Sequence, residues 1–271
     1  MKRVVLFLVV AGLTTMVTFG QKKESRPMVS DFTGVDASSA FDITVTKGSA
    51  ESLIIEADDA VMPYVRSEVR NGVLHLYLEK GADKKIKNIK TLKASIVMKN
   101  LDKVSLSGAC KFTANDLFTP DRFKVDCSGA SNLAVNVHTG QLDIDASGAS
   151  KIQVKANVTG NAKLDVSGTS KIQGELKAGN VRINASGVSS VELTGSASDI
   201  KIDASGTSNI KSENFEVKTA TIKTSGTSNI TLHVTDTLNV NSSGISTINY
   251  KGSPVIEMKN SGNAKVQPIK N

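Results

Sequence analysis

The chain has 271 residues and a formal net charge of +7, from 33 Lys and Arg against 26 Asp and Glu. Apolar residues make up 39% but aromatics only 4%, with no Trp, so an interior filled with large rings is excluded and Val, Ile, Leu and Ala must supply the core. The charge is scattered, and with three Tyr there is no basic–aromatic interleaving, which argues against nucleic acid as a partner.

Residues 1–20 read as a signal peptide. Lys2 and Arg3 precede a mostly apolar run from Val4 to Val17, and "TFG" at 18–20 offers a cleavage site before Gln21. The run is too short for a membrane anchor, so no stable membrane insertion is expected after cleavage. These features imply an exported protein at the periplasm or cell surface. Residues 21–30 read as a linker.

Residues 31–106 read as a β-rich N-terminal region. "SAFDITVTKG", "SLIIEADD" and "NGVLHLYLEKG" alternate apolar and polar residues between glycine-bounded turns. "DDAVMPYVRSEV" allows one short helical turn near Ala60, limited by Pro63. The region is expected to be continuous with residues 107–271 and to cap their open N-terminal edge.

Residues 107–271 are a repeat. Ser-Gly recurs at Ser107, Ser128, Ser147, Ser167, Ser186, Ser205, Ser225, Ser243 and Ser261, at spacings of 18 to 21 residues. Three residues before the Ser stand Val104, Val125, Ile144, Leu164, Ile183, Ile202, Ile222, Val240 and Met258. Five after it come Phe112, Leu133, Ile152, Ile172, Val191, Ile210, Ile230, Ile248 and Val266. The residue before it is small, as in Cys127, Ala146 and Ala204. Both arms alternate with period two, so each unit is a strand, a Ser-Gly corner and a second strand. A third, irregular segment completes it, as in "VHTGQ" (137–141) and "LKAGN" (176–180).

Such a unit is too short for a helical repeat. The pattern specifies an all-β fold, a parallel β-helix or β-solenoid of about nine coils, spanning roughly 43 Å at the strand spacing. Its narrow aliphatic core has little room for rings, and its faces should be extended and rigid, without a pocket. At the C-terminal end, Pro254, Pro268 and Lys270 would blunt the edge.

"LIIEADDAVMPYVRSEVRNGVLHLYL" (53–78), "SIVMKNLDKVSLSGACKF" (95–112) and the serial Ser-Gly units resemble the head GIN domain family of auto-transporter adhesin heads, exported β-helical proteins of Bacteroidetes-type bacteria. The resemblance covers about residues 28–271. It implies an adhesin-like envelope protein and carries over no catalytic residue. A contiguous Gly-Ile-Asn is missing; "SGTSNI" (205–210 and 225–230) is its nearest analogue.

Two residues before the Ser lies a polar column, Asp126, Asp145, Asp165, Asn184 and Asp203. Carboxylates stacked this way form a candidate cation ladder. The column two places earlier holds Lys103, Lys124, Lys163, Arg182 and Lys201, so a salt-bridged solvent face is the favoured reading. No metal site and no cofactor are therefore assigned. Nine serines at corners are turn residues rather than nucleophiles, and His75, His138 and His233 are too dispersed to share a site. Cys110 and Cys127 fall at non-equivalent repeat positions, which favours two buried thiols over a disulfide. The sequence points to a non-enzymatic interaction or scaffolding protein of the cell envelope, with a protein or glycan partner. The alternative is a glycan-binding or glycan-cleaving β-helix.

Overall fold

The computed structural model describes residues 20–27, 31–86 and 88–269; the expected signal segment up to residue 19 and Lys270 lie outside them. Among the described residues the secondary structure is strands with two single-turn 3-10 helices and no α-helix. Strands before each corner stack in parallel on one side, as Lys103–Leu106, Arg122–Cys127, Gln141–Ala146 and Asn161–Val166. Strands after it stack on another, as Lys111–Phe118, Asn132–Thr139 and Lys151–Val158. The register is the repeat register: Val104 pairs with Val125, Val125 with Ile144, and Ile144 with Leu164. On the other side Phe112, Leu133, Ile152, Ile172, Val191, Ile210, Ile230 and Ile248 are adjacent in turn and all buried. This is the parallel β-solenoid that the period-two alternation specifies.

The third side of the coil is irregular only in the earlier coils, where the strands break at residues 119–121, at Gly140 within "VHTGQ" and at 159–160. From residue 171 onward the two arms fuse into continuous ribbons, Lys171–Ala185, Ser190–Ala204, Asn209–Gly226 and Asn229–Gly244. "LKAGN" lies inside the first of these and pairs with the next coil, Leu176 with Gly195 and Asn180 with Asp199. Its mixed composition hid a strand that bends.

The stack also starts earlier than the Ser-Gly motif. Gly34–Ala37 pairs with Lys103–Leu106, and Asp42–Lys47 with Lys111–Phe118, so residues 34–47 are a full coil. Its corner is "SSAF", with Ser39 in the left-handed conformation (φ 76°) where later coils have Gly. Further strands close this end, three on one side and two on the other. On one side Leu92–Met98 pairs parallel with Asp42–Lys47, then antiparallel with Ser52–Asp58, which pairs antiparallel with Gln21–Arg26. On the other, Val73–Leu78 pairs with Gly34–Ala37 and then antiparallel with Val65–Arg70. The N-terminal region therefore caps the solenoid. The helical turn near Pro63 is Met62–Tyr64.

Residues 21–26, expected within a linker, form the outermost strand. Polar on both faces, Gln21–Arg26 carries no alternation and is held through its backbone. The core also contains more rings than expected. Phe32, Phe41, Phe112, Phe118, Phe123 and Phe215 are all buried, five of them at or near the N-terminal end, where the added layers enlarge the interior. No helix of the described residues is long and apolar enough to cross a membrane.

Candidate interaction surfaces

The Ser-Gly corners are ladders of backbone contacts. The N–H of the residue after each Gly donates to the carbonyl of the Gly one coil earlier: Ala130 to Gly108, Ala149 to Gly129 and Thr169 to Gly148, each at 2.7 Å. The first serine's hydroxyl donates to the preceding coil, Ser128 to Leu106 O at 3.2 Å and Ser147 to Cys127 O at 3.4 Å. A second serine, three positions on, is buried in every coil from Ser131 to Ser246. Ser131, Ser150 and Ser208 donate back to the carbonyl of the corner serine at 2.7 to 2.9 Å, which closes the turn and satisfies a buried hydroxyl. Cys110 holds the same position in its coil and donates to Ser107 O at 3.3 Å. The serines brace corners.

Both cysteines are free and buried, Cys110 in the corner column and Cys127 in the inward column before the corner. Burial pushes the Cys127 thiol up to about 12, reinforced by Asp126, and raises Cys110 as well. The histidines are not all solitary. His75 Nδ1 lies 3.4 Å from Asp36 and His233 Nδ1 lies 3.7 Å from Glu216, each opposite an acid on the neighbouring strand.

The acidic column is assembled as the sequence predicts, with Asp126, Asp145, Asp165, Asn184 and Asp203 in consecutive register. The basic column runs beside it. Lys124 reaches Asp126 at 3.2 Å and Lys163 reaches Asp165 at 2.6 Å along one strand, whereas Arg182 bridges to Asp203 at 3.1 Å across coils. Asn184 donates to Asp165 at 2.5 Å and accepts from Arg182 at 3.2 Å, joining three coils in one network. Partial burial raises the Asp165 carboxyl, but the bonds from Lys163 and Asn184 outweigh it and hold it below its ordinary value. Among the described residues no three His, Cys, Asp or Glu converge on a point where an ion could sit.

The face after the corner is not flat. Each strand there folds inward about the column Val135, Val154, Gly174 and Leu193, which stack in register. Gly174 has φ 150°, and β-bulges interrupt the pairing at Val135/Asn136 and Glu192/Thr194. The outward residues on either side of the bend converge into a groove of about 1010 Å³. One bank is Gln153, Gln173, Glu192, Lys211 and Thr231; the other is Asn136, Lys155, Glu175, Thr194 and Asn214. The groove follows the coil axis from Ala114 to Thr231, roughly 29 Å at the strand spacing. It corrects the expectation of a face without a pocket; at Val135 and Val154 the bend arises where side chains still alternate, so the period-two pattern concealed it there, whereas the consecutive exposed residues Asn115–Leu117 and Glu213–Asn214 break the alternation.

Within it, Glu175 pairs with Lys155 at 3.7 Å and Glu192 with Lys171 at 2.7 Å. The amides of Gln153 and Gln173 make no hydrogen bond among the described residues. Towards the C-terminal end the Gln153 column continues through Thr231 to Asn249 and Gln267, where Gln267 donates to Asn249 at 2.9 Å and Asn249 donates diagonally to Asn229 of the adjacent column at 3.4 Å.

Several solved structures share this architecture, among them three that match over more than 90% of both chains. A protein from Parabacteroides merdae described as a "putative adhesin" is 23% identical, with a TM-score of 0.68, over 93% of this chain and 97% of its own. A second "putative adhesin", from Parabacteroides distasonis, is 20% identical at TM-score 0.68 over 92% and 97%. A P. distasonis protein described as a "putative lipid binding protein" is 18% identical at TM-score 0.65 over 93% and 98%. At these identities the likeness establishes the fold. No curated protein matches the sequence. The family model "Putative auto-transporter adhesin, head GIN domain" matches residues 31–175 and 158–254, and the chain belongs to that family.

Proposed function

We infer that the chain is an exported, non-enzymatic interaction protein of the cell envelope, adhesin-like in role, and that its groove holds an extended glycan. The continuous groove along the coil axis carries this reading. Its banks present amides and paired charges, Lys155 and Lys211 against Glu175, Glu192 and Glu213, so it is polar without a strong field of either sign. Gln153 and Gln173 offer donors and acceptors one strand spacing apart, which suits a chain of hydroxyl-bearing units lying along the axis. Two of the three acids are tied to lysines, which supports binding rather than acid–base cleavage.

The test is a panel of envelope and host polysaccharides probed with the wild type and with Thr194→Arg, which fills the groove from an exposed position. Binding by the wild type and its loss in the variant support the reading. Turnover of a bound polysaccharide would replace it by the glycan-cleaving alternative. Protease shaving of intact cells tests location: a shielded protein with only periplasmic partners would end the adhesin role.

A further inference from the structure

The two ends of the solenoid are finished differently. At the N-terminal end the outermost strands are Gln21–Arg26 and Val65–Arg70, both rich in charge, which discourages further pairing. The last rung at the other end is Val255–Asn260 and Lys265–Pro268, which among the described residues are each paired on one side only, with Asn229–Gly244 and Thr247–Lys251. Ile256 and Met258 stand in inward columns whose previous members, Leu238 and Val240, are 0% and 3% exposed. Here they are 39% and 53% exposed, beside Val255 at 68%. Among the described residues nothing covers the aliphatic core at this end.

The two edge strands are not equally able to accept a partner. The N–H groups of Ser261, Asn263 and Lys265 point back to Ser242, Gly244 and Ser246. Backbone groups alternate along a strand, so those of Ile256 and Met258 point outward along the coil axis. In the neighbouring strand the same parity falls on Val266 and Pro268, and Pro268 has no N–H to offer. Proline thus blunts Lys265–Pro268 and leaves Val255–Asn260 able to pair.

We propose that Val255–Asn260 pairs antiparallel with the same strand of a second copy, about a two-fold axis through Met258. Opposite residues in such a pair must point to the same face, so a symmetric register is centred on a single residue near the middle of the strand. Centring on Glu257 sets Glu against Glu, and centring on Lys259 sets Lys against Lys. Centring on Met258 sets Glu257 of each copy opposite Lys259 of the other, two attractive pairs by symmetry, with the methionines meeting on the inner face. Both charged side chains are exposed and neither has an ion-pair partner among the described residues. The contact is independent of the groove, which lies on another side of the coil.

Sedimentation velocity and light scattering on the purified protein test it. The wild type is expected to be a dimer. Glu257→Lys, and separately Lys259→Glu, should each weaken dimerisation by about tenfold or more, since each reversal creates two like-charge pairs. The double variant Glu257→Lys/Lys259→Glu should restore it, because the pairs form again with their signs exchanged. Unchanged thermal melting at high dilution would show that the variants fold. A monomeric wild type, with or without some other protein on that end, overturns the proposal. So does a dimer indifferent to either reversal, or one that the double variant fails to restore.

Discussion

Gly148 stands so close over Gly129 that a Cβ added to it would lie 2.5 Å from the Gly129 carbonyl oxygen. Its φ of 68° is also one that L side chains rarely adopt, so the glycine is required twice over. Gly187 and Gly206 repeat the relationship at 2.7 Å. Gly148→Ala should cost about 2 kcal/mol or more in chemical denaturation, because the strain adds to a backbone collision that no rotamer relieves. Ser39→Ala, at the corresponding corner of the first coil, should change stability by less than about 1 kcal/mol, since that corner already carries a Cβ. Equal losses would refute the stacked-corner explanation.

Ile172 and Lys171 are neighbours with opposite fates. Ile172 is fully buried between Ile152 and Val191, while Lys171 faces outward and pairs with Glu192 at 2.7 Å. Ile172→Asp should destabilise by about 4 kcal/mol or unfold several coils, because a carboxylate replaces a packed aliphatic group. Lys171→Asp should cost about 1 kcal/mol or less, the scale of an exposed ion pair. Urea titration of both separates them.

The register behind that pair is readable from Ser-Gly spacing and period-two alternation alone, because a parallel solenoid repeats one environment at each position. The first coil escaped that signal: Ser39 replaces the glycine and Phe41 the small corner residue, so residues 34–47 share the geometry but not the motif. Gln21–Arg26 escaped because a strand held by backbone pairing and by polar side-chain bonds from Gln21 and Arg26 needs no apolar face. The acidic and basic columns were legible as columns. That Lys163 bonds Asp165 along its own strand, while Arg182 reaches across to Asp203, depends on rotamers that sequence does not encode. The groove was least legible, since a bend at Val154 and Gly174 changes direction without changing the alternation.

Asp165 gives a pH dependence. Its carboxyl is held below the ordinary value of 3.8, so its stabilising contribution is present above that pH and is lost as pH falls through the lower folded-state value. Asp165→Asn should cost at most about 1 kcal/mol near neutral pH, because the group is partly exposed. The gap between wild type and variant should close as the carboxylate is protonated in strong acid. A gap that persists there would assign the loss to packing instead.

Cys110 and Cys127 should resist thiol reagents in the folded protein. Both are buried, and with the Cys127 thiol raised to about 12 the reactive thiolate is scarce at pH 8. Labelling should appear in step with unfolding, and reductant should leave the melting temperature unchanged, because no disulfide joins them. Rapid labelling without denaturant would contradict the placement of both side chains.

The corners give the stack a polarity of growth. At Gly108 an added Cβ would run into the Ser39 backbone of the coil before it, and the same holds at each later corner. A corner glycine therefore accepts a coil laid after it and demands bare backbone on its own underside. Ser39 breaks that demand where no corner lies beneath, so coils can be added in one direction and stop in the other. A lineage that lengthens this molecule by duplication has an open end to build on, and a side chain already standing as the foundation stone.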